Sequence, residues 1–350
     1  MSRSSLCIES CSFCCIYLFD DLYELHISVR YKYFGILLLD GGRFFADAGR
    51  EAGPIRSNQA MTAQSEGTGP TPQAGEDEEF FVRFWGVRGS VACPSEETVR
   101  YGGNTSSLEI RCGKRILLFD AGTGIRYLGR GLAGEAPLDV DLFLTHTHFD
   151  HICGMPFFGP FFDPRNRFRL HAGHLAPELD LRFVLSEMMM APLFPVPLEI
   201  FGARMSFHDF TAGDVLTPHP GISIRTAPLN HPDRATGYRV DFNGRSICYI
   251  TDTEHVPGKP DRRILDLIEG ADIAIYDAMY TDDEHGKRVG WGHSTWQEGA
   301  RLCEAAGVGT YVVFHHDPDH DDRFMDEVAR QVAECRPGAV VAREGLVLRP

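Results

Sequence analysis

The amino-acid sequence predicts a mixed α/β (α+β) fold, a four-layer αββα sandwich, over residues 79–350. Three observations point there. Short β-rich runs recur from Phe80 onward, punctuated by Gly and Asp-Gly. After an opening run of strands, strand-like and helical stretches alternate, which calls for helices packed on the outer faces of sheets. No internal repeat of short fixed period runs through the chain.

The elements follow in order. Phe80–Trp85 opens the pattern, and Ser106–Arg111 and Arg115–Phe119 succeed it as neighbouring strands. Val140–Leu144 is the strand that leads into the histidine-rich centre of the chain. Pro177–Met190 reads as a helix. Ile222–Thr226, Gly237–Phe242, Ser246–Ile250, Ile273–Tyr276 and Val312–Phe314 read as strands of the second half. Helices are expected over Arg262–Ile268, Thr295–Ala306 and Asp322–Glu334; Thr295 and Glu298 have the spacing of a capping box.

Composition narrows the function. The 350 residues are 43% hydrophobic, enough for a sizeable core, and the formal net charge is −15. That balance argues against a broad phosphate-tracking surface, so a long nucleic acid is not the expected partner. A small anionic molecule remains compatible, because bound divalent cations reverse the local field. Cys7, Cys11, Cys14 and Cys15 crowd the start, with one lone CxxC, while Cys93, Cys112, Cys153, Cys248, Cys303 and Cys335 are scattered singly. Free thiols in a reducing cytoplasm are the expectation. No apolar stretch reaches the roughly eighteen residues a membrane span needs.

Residues 1–78 differ from the rest. Ser5 to Tyr23 is apolar and Cys-rich, yet Glu9 interrupts it and only Arg3 precedes it, a poor secretory signal. The segment MTAQSEGTGPTPQAGEDEE that opens at Met61 is polar and ends in acid, as a disordered leader does. Met61 is the expected natural start.

The chemistry concentrates in DLFLTHTHFDH, Asp141–His151. An apolar strand delivers His146, His148, Asp150 and His151 to a turn. Alternate residues of an extended segment point one way, so His146 and His148 can converge on one ion while Asp150 and His151 face a neighbouring position. Imidazole and carboxylate suit zinc, manganese or iron. A lone histidine is most often a core residue; three with an aspartate inside six positions are not. Further ligand candidates end strand-like runs: His231 in PLNHP, Asp252 in YITDTEH and His315 in VVFHHDP. Taken singly each has a structural explanation, a turn cap for Asp252 and a surface position for His315.

HxHxDH followed by a spaced His, Asp and His resembles the metallo-β-lactamase superfamily, from Phe80 to about Pro350. The resemblance implies the fold of that family and a dinuclear centre. His146, His148 and His231 would hold one divalent ion and Asp150, His151 and His315 the other, with Asp252 bridging. The ions would be zinc, with manganese or iron as alternatives. Asp120 in LLFDAGTG matches the family's first acidic motif, which orients the site from behind the ligands. His316 is the alternative to His315 as ligand, or a supporting residue beside it; the spacing to Pro318 favours His315.

Asp252 stands where many lactamases carry a cysteine, and GWGHST at 290–295 is similar to the phosphodiesterase branch that includes tRNase Z and small cyclic phosphodiesterases. FWGVRGS and RYGGNTSS add to this resemblance. It implies hydrolysis of a small phosphodiester such as a cyclic nucleotide by a metal-bound hydroxide, with His293 protonating the leaving group. Asp277 in IYDAMY is a candidate to orient His293, and its alternative is a strand-end Asp with no catalytic role. Asp150 is grouped with His293 and Asp277 as catalytic as well as with the ligands. A helix start at Ser294 and Thr295 would also offer N–H groups to a phosphate. The four phenylalanines of PFFGPFFDP suggest core, a homodimer interface or a ring-binding wall.

Three alternatives stand beside this reading. One is an ester, thioester or lactone hydrolase on the same frame, against which the GHST motif speaks. Another is a tRNA 3′-processing endonuclease, which would need the basic arm of those enzymes; no Lys/Arg-rich insertion is present. The last is a non-catalytic metal-binding module, against which the intact ligand set speaks.

Overall fold

The structure, a computed structural model, describes residues 79–350. The leader expected over residues 1–78, with Met61 and the four N-terminal cysteines, lies outside the described residues.

The chain first builds an antiparallel meander, β1 (Phe80–Gly86), β2 (Ser107–Cys112) and β3 (Arg115–Phe119). Helix α1 (Ile125–Gly131) then crosses over, and β4 (Asp139–Leu144) pairs parallel to β3. A single turn of helix, α2 (Phe149–Ile152), leaves the end of β4. The sheet continues in parallel through β5 (Arg167–Ala172), helix α3 (Leu181–Met188) and β6 (Arg204–Asp209). The second sheet begins with β7 (Val215–His219), β8 (Ile222–Leu229), β9 (Ala235–Phe242) and β10 (Arg245–Ile250), all antiparallel neighbours. Helix α4 (Arg262–Ile268) leads to β11 (Ile273–Asp277), parallel to β10. Helices α5 (Asp282–His285) and α6 (Trp296–Ala305) precede β12 (Thr310–Phe314), and α7 (Asp322–Cys335) follows it. Two-residue strands close the sheets: β13 (Val340–Val341) beside β12 and β14 (Val347–Leu348) beside β1.

Each sheet therefore has seven strands, in the orders β14-β1-β2-β3-β4-β5-β6 and β13-β12-β11-β10-β9-β8-β7. Their inner faces share one core, in which Phe119 stacks on Phe143 at 5.2 Å and meets Tyr238 edge-on at 5.3 Å. Fully burying side chains of this size stabilises by about 1.5–3 kcal/mol each. Outside the first sheet, Leu128, Leu181 and Leu185 of α1 and α3 cover Leu142 and Leu170. Outside the second, Ile264, Leu302 and Val328 of α4, α6 and α7 cover Ile250, Tyr276 and Val313. These are the four layers the sequence predicts.

Every expected strand forms, with ends shifted by up to three residues. The unexpected β5, RFRLHA, buries Phe168, Leu170 and Ala172 but turns Arg167, Arg169 and His171 the other way, so charge masks the alternation. β6 and β7 are edge strands, and Pro218 in β7 is tolerated for that reason. Helix α3 starts later than Pro177, because Asp180 caps it by accepting from the Phe183 N–H at 2.8 Å.

The topology places the site. β3 and β4 run parallel, as do β10, β11 and β12. β8 is antiparallel to β9, which is antiparallel to β10, so β8 shares the direction of β10. The segments bearing Asp120, His146, His231, Asp252, Asp277 and His315 thus lie at carboxyl ends of strands, where open α/β sheets place their ligands. Two hydrogen bonds fasten the two sheets beside this edge: Tyr238 Oη donates to Leu144 O at 2.6 Å, and Thr236 N to Thr145 O at 2.8 Å.

Candidate metal centre

His146 leaves the end of β4 and is almost wholly buried. Its Nδ1 lies 3.1 Å from Thr145 Oγ1, and its Nε2 has no hydrogen-bond partner. Two residues on, His148 is half-exposed and brings Nδ1 to 3.0 Å from His231 Nε2. The far side of His231 is fixed: its Nδ1 donates to Gly292 O at 2.8 Å. Gly292 has φ +86°, and any Cβ there would strike the His231 ring, so glycine is required on both counts.

Asp150 and His151 face the other way from α2. Ser90 N donates to Asp150 Oδ2 at 2.8 Å, and His151 Nε2 lies 3.2 Å from the same oxygen. His151 Nδ1 donates to Asp120 Oδ2 at 2.9 Å, which leaves Nε2 as its ligand atom. Asp120 is itself fully buried and also accepts from Thr145 N at 2.8 Å and Tyr249 Oη at 2.8 Å. His315 completes this side, with Nε2 3.3 Å from His151 Nε2 and 3.5 Å from Asp150 Oδ2.

Asp252 stands between the two groups. Oδ1 lies 3.7 Å from both His146 Nε2 and His231 Nε2. Oδ2 lies 3.2 Å from His151 Nε2 and 3.3 Å from His315 Nε2, and accepts from Thr251 Oγ1 at 2.8 Å. Asp120, Asp252 and His315 all have positive φ, +57°, +57° and +64°. Left-handed backbone at a non-glycine costs about 1–3 kcal/mol and persists where surrounding structure over-determines it. Here it turns the side chain at a strand end back over the sheet edge.

The donor set fits divalent ions. Ligand atoms of His146, His148 and His231 lie within 4.8 Å of one another, as do those of Asp150, His151 and His315 and those of His146, His151 and Asp252. The buried, unpartnered Nε2 of His146 points to the same conclusion, because such an atom is expensive unless something accepts its lone pair. Nitrogen and carboxylate oxygen together suit zinc, manganese or iron.

Charge is balanced within the cluster. Burial, reinforced by His151, pushes His146 well below the usual imidazole range. Burial opposes protonation of His151 too, but Asp150, Asp252 and Asp120 together raise it well above that range. Asp252 and Asp150 run the reverse way: burial would raise them, and the surrounding imidazoles hold both well below the usual carboxylate range.

His293 adjoins the cluster. Its Nδ1 is 3.0 Å from Asp277 Oδ2 and 3.8 Å from Asp252 Oδ1. Burial would lower its pKa, yet the Asp277 charge and hydrogen bond, with Asp252 behind, raise it to about 9. Asp277 is held by the N–H groups of Thr253, at 3.1 Å, and Met279, at 3.2 Å. His293 also meets the spacing of a ligand, with His231 and Asp252.

His316 turns away from the cluster. Its Nε2 donates to Ala342 O at 2.8 Å, and its ring meets Tyr101 edge-on. Its support is through the backbone: Gly89 N donates to His316 O at 3.0 Å, next to the Ser90 N–H that holds Asp150. The start of α6 also departs from expectation. Thr295 does cap it, accepting from Glu298 N at 3.1 Å, but Glu298 pairs with Arg301 rather than completing a capping box. Trp296 N donates to Tyr280 O, so the N–H groups of Trp296 and Glu298 are both spent within the protein. Ser294 Oγ instead joins His255 Nδ1 at 2.8 Å and Tyr276 Oη at 3.0 Å.

Thr145, Tyr249 and Ser90 support the cluster without having been singled out in the sequence. Thr145 sits inside the histidine motif and Ser90 ends FWGVRGS, so both lay within motifs the sequence displays. Of the four phenylalanines after the motif, Phe158 and Phe161 are core, while Phe157 and Phe162 are exposed.

A family model described as the beta-lactamase superfamily domain matches residues 115–316. Ribonuclease Z of Haloarcula marismortui is 24% identical over 315 residues, spanning 75% of this chain and 94% of that protein. Among solved structures, a diphosphatase from the PhnP family has TM-score 0.58 at 19% identity, covering 78% of this chain and 98% of that one. Human tRNase Z, short form, has TM-score 0.53 at 19% identity, covering 77% and 98%. At these identities the two structures speak for the fold.

Proposed function

Since the chain belongs to the beta-lactamase superfamily and is a hydrolase of that fold, we propose that it cleaves a small phosphodiester, such as a cyclic nucleotide, at a centre of two divalent ions. His146, His148 and His231 would hold one ion and Asp150, His151 and His315 the other, with Asp252 placed to serve both. Zinc is the first choice, with manganese or iron as alternatives. Residues 79–350 form the hydrolase domain, and the six free cysteines among them suit a reducing cytoplasm. Among the described residues no helix is long and apolar enough to cross a membrane.

Bound divalent ions supply Lewis-acid stabilisation of phosphoryl charge and activate water at neutral pH. The protein's own groups do the rest. Asp120 fixes the tautomer of His151 and Gly292 O that of His231, so each presents Nε2. Asp277 occupies Nδ1 of His293, which leaves Nε2–H to protonate a departing alkoxide.

The observation that carries this reading is the His293–Asp277 pair, set 3.8 Å from Asp252. A proton donor there serves an alkoxide leaving group, which a thioester, expelling a thiolate, does not need. A second reading, tRNA 3′-end processing, draws on the Ribonuclease Z relative, which the alignment spans over 94% of its length. The lack of a Lys/Arg-rich insertion in the sequence and the net charge of −15 favour the small substrate. Zinc-loaded protein should be offered bis-p-nitrophenyl phosphate, a cyclic nucleotide, a lactone, a thioester and a precursor tRNA side by side. Turnover of the small diesters above all others supports the proposal. Preference for precursor tRNA, or for the lactone or thioester, replaces it.

A further inference from the structure

A cleft of about 360 Å³ opens beside the ligand cluster, with His146 and His148 on one wall. The other wall is His174, Leu175, Leu179 and Val184, from the segment between β5 and α3 and from α3 itself. Three aliphatic side chains and the His174 imidazole make this wall largely apolar, while Thr147, Asp233 and Arg234 line the rest of the cleft. His174 Nε2 is 3.1 Å from Thr147 Oγ1, while His174 Nδ1 is buried and has no partner. Leu179, on this wall, is 48% exposed and so open to a molecule in the cleft. The wall is latched to the loop that carries His231: Arg234 Nη2 donates to Glu178 at 2.7 Å and Nη1 to Ala176 O at 3.3 Å. That pairing spends the Arg234 charge, so the cleft is not built to attract an anion. None of the four phenylalanines that follow the histidine motif lines it.

We infer that this cleft binds a flat, uncharged heteroaromatic ring carried by the substrate phosphodiester, with Leu175, Leu179 and Val184 against the ring and His174 Nδ1 hydrogen-bonded to its edge. The volume is at the small end of ligand pockets, about 300–1,000 Å³, and suits one ring system better than an oligonucleotide. Neutral ring edges carry both donors and acceptors, so either tautomer of His174 finds a partner. The inference rests on the phosphodiester reading and deepens it by naming what the diester carries.

The test uses three diesters with one leaving group, so that the reaction at phosphorus is held constant: thymidine 5′-(p-nitrophenyl phosphate), phenyl p-nitrophenyl phosphate and methyl p-nitrophenyl phosphate. With zinc-loaded full chain, kcat/KM should be at least tenfold higher for the thymidine diester than for the methyl diester. Leu179→Asn, a half-exposed and nearly isosteric change, should lower that ratio at least fivefold. His174→Phe should lower the thymidine-to-phenyl ratio about tenfold, because it keeps a ring and removes the nitrogen. Binding to chelator-treated protein gives a second readout: thymidine 5′-phosphate should bind at least tenfold tighter than methyl phosphate, and Leu179→Asn should erase most of the difference. Equal ratios in wild type and Leu179→Asn, with all three diesters turned over, overturn the ring-binding slot and leave the phosphodiester reading intact. No turnover of any diester, beside hydrolysis of a lactone, thioester or precursor tRNA, overturns both.

Discussion

Asp120→Asn isolates what lies behind the ligands. Asp120 touches no proposed ion, yet it is fully buried and accepts from His151 Nδ1 at 2.9 Å, Tyr249 Oη at 2.8 Å and Thr145 N at 2.8 Å. Asparagine has the same shape and tolerates the φ of +57° better than most residues. Its amide, however, cannot accept from all of these donors, and it carries no charge to stabilise a polarised imidazole. A hydrogen bond to a charged group is worth about 1.5–3 kcal/mol, which corresponds to roughly 10- to 100-fold in affinity. Residues that orient metal ligands give the same range, about 10–100-fold. Competition for zinc against a chromophoric chelator should therefore show the ion held by His151 bound 10- to 100-fold less tightly. Activity should return when zinc is raised to saturation, and the melting temperature of the chelated protein should change little beside that. If zinc affinity stays within twofold of wild type, the Asp120–His151 pair has no part in holding the ion.

Two further outcomes follow from the same geometry. A chelator should abolish hydrolysis, and zinc or manganese should restore it at two ions per chain by elemental analysis; full activity in metal-free protein refutes the centre. Away from the site, Asp141 joins the sheets: it is wholly buried and accepts from Arg169 Nε at 2.7 Å, His171 Nε2 at 3.0 Å and His219 Nε2 at 2.7 Å. Burial would raise its pKa, but these partners hold it well below the usual carboxylate range. A lowered folded pKa adds stability that is fully present above the unfolded value of about 3.9 and is lost as pH falls toward the folded value. Asp141→Asn should thus cost about 3 kcal/mol at pH 7, the order seen for breaking a buried pair. The difference in melting temperature from wild type should narrow by pH 3, and a gap that widens on acidification contradicts the assignment.

Much of this was legible in the sequence, and the parts that were not have physical reasons. His146, His148, Asp150 and His151 could be read together because one strand end and one turn carry them. His231, Asp252 and His315 come from three other strands, and spacing alone left each with a structural explanation. The choice between His315 and His316 turns on backbone conformation: φ of +64° swings His315 into the cluster, and bridge pairing with Arg88 sends His316 toward Ala342. His174 was invisible as a lone histidine, since its meaning depends on Leu179 and Val184 beside it in space. β5 was hidden because Arg169 and His171 face Asp141, so its outward side carries charges that serve a buried carboxylate.

The central claim, phosphodiester cleavage with His293 as proton donor, is tested most directly by His293→Ala against two leaving groups. General acid catalysis contributes about 10²–10⁴-fold, so kcat should fall by that much for a diester with an alkoxide leaving group. For a p-nitrophenolate diester, which needs little protonation, the loss should be far smaller, and zinc content should stay at the wild-type level in both. An equal loss for the two leaving groups, or loss of an ion on substitution, would make His293 a ligand or a structural residue and contradict the claim.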